Sequence, residues 1–123
     1  MYKLDLIYDI VSGHHQISLR MIDWFVVNYS KKYNIILDGH FNIQKEYRSK
    51  LKYYRKEYFD VFCRKHKWIF YTQIGEEVEL SLGQLNFFNW CIENNILDYI
   101  KKNQSDIIKD MSSTQKIDKF LYY

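Results

Sequence analysis

In the stretch ISLRMIDWFVVNYSKKY, apolar residues fall at Ile22, Phe25, Val26 and Tyr29, the i, i+3, i+4, i+7 spacing of a helix with one buried stripe. Ser18 stands where it can cap the start, and Lys31 and Lys32 suit the negative end of the helix dipole. NIILDGH breaks the spacing, with Asp38-Gly39 as a turn signal. From about Ile43 to Phe62 the spacing predicts a second helix. KWIFYTQIGEEVELSL has a different period: two runs rich in β-formers flank Gly75, which predicts a hairpin, and Val78, Leu80 and Leu82 alternate onto one face. Ser81 followed by Gln84 forms a capping box that opens a third helix through QLNFFNWCIE. Asn94-Asn95 interrupt that helix, and ILDYIKK predicts a short fourth one. The expected fold class is therefore α+β: a mainly helical single domain of about four helices, residues 1–103, with one β-hairpin between the second and third helices. Residues 104–123 are polar and weakly patterned, and are expected to form a partly ordered C-terminal tail.

The second helix holds most of the chemistry. Wound at 100° per residue, Ile43, Tyr47, Leu51, Tyr54, Tyr58 and Val61 share one narrow arc, which predicts a buried face. Lys45, Arg48, Lys52, Arg55 and Lys56 share an arc of roughly 100° on the far side, and Glu46, Glu57 and Asp60 fall between the two. A cationic face sorted away from the acids projects positive potential outward and can neutralise phosphates with release of counterions. CRKHK would extend it through Arg64, Lys65 and Lys67. The bland reading is an ordinary solvated face, since amphipathic helices routinely carry Lys on the wet side and Tyr on the inner one.

Charge along the chain follows the same division. Residues 1–40 hold four basic and four acidic groups, residues 41–67 hold nine and three, and residues 68–123 hold five and eight, so the middle segment owns the net charge of +3. A length of 123 residues suits one domain with a single core, and 47% hydrophobic content excludes a disordered chain. No apolar run reaches the roughly 18–20 residues that span a bilayer, and the N-terminal apolar stretch contains acids and lacks a cleavage signature, so neither a membrane span nor a secretory signal is expected. Two cysteines, Cys63 and Cys91, are too few for a disulfide framework and fit a reducing compartment.

Candidate catalytic and metal chemistry is sparse. His14 and His15 with Cys63 and His66 supply four ligand atoms in number, but adjacent histidines chelate poorly and no second Cys-x-x-Cys exists, so no metal is expected. Cys91 lies in FFNWCIE, an apolar helical face with no cation to lower its pKa, and reads as core. No nucleophile elbow, Gly-rich phosphate loop or paired carboxylates in a pocket-like context occur, so no enzyme, cofactor or small-molecule substrate is expected. Ile, Lys, Asn and Tyr make up 49 residues while Ala and Pro are absent, the imprint of an AT-rich genome rather than of a fold.

Three blocks, HHQISLRMIDWFVVNYSKKYN, YRSKLKYYRKEYFDVFCRKHK and LGQLNFFNWCIENNILDYI, resemble a family of small proteins of nucleocytoplasmic large DNA viruses, over about residues 13–100. The resemblance implies lineage and no chemistry. It also implies residence in the host cytoplasm, at the viral factory, or in the virion.

Two functions stay open at this point. One is nucleic-acid binding, DNA or RNA, through Lys45, Arg48, Lys52, Arg55, Lys56, Arg64, Lys65 and Lys67, largely by phosphate contacts. The other is a protein–protein interaction module of a virion or viral transcription assembly, because 23 aromatic residues are more than one small core easily buries. A homodimer through FFNW or the terminal FLYY is its simplest form.

Overall fold

Helix α2 (Leu19–Trp24) begins where Ser18 accepts a hydrogen bond from the Met21 amide, passes through a π turn (Phe25–Tyr29) and continues as α3 (Ser30–Lys32). Met21, Ile22, Phe25, Val26, Tyr29 and Ser30 are all buried, so the expected stripe faces the core over the whole rod. The π turn widens that stripe, and the Ser30 hydroxyl donates to the Val26 carbonyl within it. The computed structural model describes the backbone of residues 2–121 and the side chains of residues 3–113.

The fold is α+β and mainly helical, with more elements than expected. Helix α1 (Tyr2–Val11) precedes the rod and buries Ile7 and Ile10. Asp38-Gly39 turns a miniature hairpin, β1 (Ile36–Leu37) against β2 (Phe41–Asn42), with both turn residues at positive φ. Helix α4 (Ile43–Tyr54) follows, then a 3-10 turn (Lys56–Tyr58). The hairpin around Gly75 pairs β3 (Lys67–Tyr71) with β4 (Glu77–Ser81), and Val78 and Leu80 are buried on one face. Ser81 and Gln84 close the capping box at the start of α5 (Leu82–Glu93). Asn95, at φ 58°, separates α5 from α6 (Ile96–Lys102), and α7 (Gln104–Leu121) closes the order. No helix of the described residues is long and apolar enough to cross a membrane.

Three expectations need correction. The second helix does not run to Phe62; it stops at Tyr54, where Arg55 adopts φ 63° and ψ 155°. The cause is Phe59. In a continued helix its ring would stand among the cations, but it is 1% exposed, stacked on Tyr54 at 5.6 Å and edge-on to Phe87 and Trp90. Reversing the chain at Arg55 buries it. The polar tail opens instead as α7, whose Ile107 and Asp110 are buried, so packing does not end at residue 103. FFNW is no free contact either: Phe87, Phe88 and Trp90 belong to the core. The side chains of the terminal FLYY lie outside the described residues.

Candidate nucleic-acid interface

Asn42 caps α4 by accepting the Lys45 amide at 3.1 Å, which sets the register of the helix. Ile43 is then fully buried, and Tyr47, Leu51 and Tyr54 pack on the core, with Tyr47 ringed by Phe59, Phe87 and Trp90. Burial, with the Asp23 and Asp60 carboxylates near it, pushes the Tyr47 hydroxyl up to about 12. Anchoring that side presents Lys45, Arg48 and Lys52 to solvent, where with Ser49 and Leu51 they line one shallow depression. Lys45 lies in the first turn, where the helix dipole adds to its positive potential.

The eight sequence-derived cations divide by pairing. All are exposed. Lys56 lies 4.0 Å from Asp60, Lys65 3.8 Å from Glu57 and Lys67 3.5 Å from Glu79. Among the described residues no carboxylate oxygen comes within 4.0 Å of Lys45, Arg48, Lys52, Arg55 or Arg64. Position divides them too: Arg64 and Lys67 line a different cleft, together with Tyr8, Val11, Leu19, Glu77 and Glu79. The helical cations thus form one group and CRKHK another.

One side chain was missed in the sequence. Tyr53, 79% exposed, meets the Tyr54 ring edge to face at 4.9 Å and offers an exposed aromatic surface on α4. Its helical position, outside the buried arc, was the available signal. Lys50 instead leans over the Tyr54 ring at 6.0 Å.

The histidines have structural partners. The Ile17 amide donates to His15 Nδ1 at 3.0 Å, and His14 Nδ1 lies 3.2 Å from the Ser12 hydroxyl. His66 stacks on Tyr58 at 5.0 Å. Among the described residues no group of three or more metal-ligating side chains converges. Cys91 is fully buried, and burial pushes its thiol well up.

A small α+β protein with a capped, cation-bearing helix over an aromatic core is thereby defined. The chain belongs to the Family of unknown function (DUF7197), which it matches over residues 2–122. It is 45% identical over 122 residues to Uncharacterized protein L507 of Acanthamoeba polyphaga mimivirus, a giant virus, in agreement with the viral lineage expected above. That match takes in 89% of this chain and 47% of the relative, so the chain spans about half the relative's length. No solved structure matches.

Proposed function

We propose that this is a non-enzymatic viral protein that binds nucleic acid through α4, holding the phosphate backbone rather than reading bases. It would act in the host cytoplasm or in the virion. The observation that carries the reading is the exposure of Lys45, Arg48, Lys52 and Arg55 with no carboxylate within 4.0 Å among the described residues. A solvated helix face ordinarily interleaves its charges, whereas unneutralised neighbouring cations recruit a polyanion. Tyr53 would add stacking to an unpaired base, which favours single strands. Arg64, Lys65 and Lys67 contribute less, two of them being already paired.

Fluorescence anisotropy with labelled single-stranded and duplex DNA and RNA tests the reading. Wild type is expected to bind with a steep salt dependence, and reversal of Lys45, Arg48, Lys52 and Arg55 to Glu to abolish binding. Equal affinity in the two proteins sinks the idea.

A second reading, a protein-interaction module, is favoured by one observation. Phe62, Trp68, Ile69, Tyr71 and Ile74 are all more than half exposed within one short stretch.

A further inference from the structure

We infer that β3 is a dimerisation edge: two copies join their β3 strands antiparallel across a two-fold axis at Ile69, making one four-stranded sheet. This deepens the interaction reading, rests on it, and is independent of the phosphate reading.

The first observation is the ladder. β3 pairs with β4 alone, in a two-stranded sheet. The register sets Trp68 opposite Leu80 and Phe70 opposite Val78, and the flanking pairs are bonded, Leu82 N–H to the His66 carbonyl and Thr72 N–H to the Glu76 carbonyl. Bonded and non-bonded pairs alternate along an antiparallel ladder, so Trp68 and Phe70 face β4 with their backbone groups. The N–H and C=O groups of Lys67, Ile69 and Tyr71 therefore point away from β4. Among the described residues nothing hydrogen-bonds to them.

The second observation is how little guards this edge. Natural edges carry Pro, bulges or charges to prevent pairing. β3 reads KWIFY, a regular strand with a single charge at one end, and Trp68, Ile69 and Tyr71 are 59%, 56% and 57% exposed.

The third observation selects the occupant. Centred on Ile69, an antiparallel copy of KWIFY places Ile69 against Ile69 and Lys67 against Tyr71, and those are the residues whose backbone groups point outward. On the core-side face it places Trp68 against Phe70, twice. Trp68 then meets an aromatic ring and Ile69 an apolar side chain, the cross-strand pairs that stabilise sheets, while Tyr71 meets the Lys67 stem. Charge agrees. The two Lys67 ammonium groups go to opposite ends, each beside a Tyr71 ring and one strand short of the second copy's Glu77, whereas a parallel pairing would set Lys67 on Lys67. A self-complementary surface of this kind is what a two-fold dimer requires.

The test is cross-linking with sedimentation. In a Cys63→Ser background, Ile69→Cys is expected to form a covalent dimer under mild oxidation, because facing residues in a bonded pair lie about 5.5 Å apart, within disulfide reach. Ile74→Cys, 82% exposed in the turn, is the control: in this arrangement its two copies lie about 30 Å apart and do not cross-link. Sedimentation velocity is expected to show wild type passing from monomer to dimer with concentration. Ile69→Lys should weaken association at least tenfold with unchanged circular dichroism. A wild type that is monomeric at several hundred micromolar, equal cross-linking at Ile74→Cys, or a dimer indifferent to Ile69→Lys overturns the proposal. The broader interaction reading fails separately, if wild type neither self-associates nor binds any viral protein tested.

Discussion

The Trp24 indole N–H donates to Asp110 Oδ2 at 3.2 Å and so ties α2 to α7 across 86 residues of sequence. Asp110 is buried, and its other oxygen accepts from the Lys32 ammonium at 2.5 Å and the Tyr33 hydroxyl at 3.2 Å. Burial alone would raise this carboxyl, but donation from Lys32, Trp24 and Tyr33 outweighs it and holds the group below the usual range. Asp110→Ala leaves those donors unpaired and is expected to cost about 2 kcal/mol. With a depressed folded pKa, the contribution of Asp110 is complete above the ordinary carboxylate pKa and is lost as pH falls through the folded one. Urea denaturation of both proteins at pH 7 and pH 3 should therefore show the difference shrinking on the acid side.

Gly83 reverses a common expectation. Replacing a helical glycine with alanine usually stabilises. A Cβ on Gly83, however, would stand 2.6 Å from the Asp60 carbonyl oxygen and 3.1 Å from that of Glu57, backbone atoms of the segment that returns Phe59 to the core. Gly83→Ala is expected to destabilise by about 1–3 kcal/mol, seen as a lowered thermal midpoint. Unchanged stability would mean that the 56–60 segment yields freely.

What could be read in the sequence was local. The Ser81–Gln84 capping box, the turns at Gly75 and Asp38-Gly39, and the break at Asn94-Asn95 each depend on a few neighbouring residues, and each appears. The end of α4 depends on Phe87 and Trp90, far along the chain, whose cluster draws Phe59 inward; no periodicity within residues 43–62 reports that. α7 escaped notice because much of its anchoring is polar, through Asp110 to Trp24, Lys32 and Tyr33. The candidate site was partly legible. Helical winding brought Lys45, Arg48 and Lys52 together, but the neutralisation of Lys67 by Glu79 needed the hairpin register.

Asp23 carries charge at a cost. Burial, and then the nearby Asp60 carboxylate, raise its carboxyl from 3.8 to about 6. Between those values the folded protein binds more protons than the unfolded chain, so this group lowers stability as pH rises from about 4 to about 6. Asp23→Asn keeps the shape and removes the penalty. A shift of this size corresponds to about 2–3 kcal/mol, and partial solvent screening should reduce it to about 1–2 kcal/mol of gain at neutral pH. Denaturation near pH 4 should show almost none of that gain; an equal gain at both pH values would trace it to packing instead.

Arg55 sets stability against binding at a single residue. Its φ of 63° and ψ of 155° lie in a region that glycine adopts freely and other residues enter at about 1–3 kcal/mol. Arg55→Gly relieves that strain while loosening the unfolded chain, which returns part of the gain, so about 1 kcal/mol of net stabilisation is expected. The same change removes one unpaired cation from the proposed interface, and is expected to weaken nucleic-acid binding while reducing the slope of log affinity against log salt by about 1. Arg55→Ala loses the charge but keeps the strained backbone, so it should bind like the glycine variant and be less stable. Thermal melts and salt-titrated anisotropy on the three proteins separate the two roles. If Arg55→Gly gains stability with no change in salt slope, Arg55 makes no phosphate contact and the interface contracts to Lys45, Arg48 and Lys52.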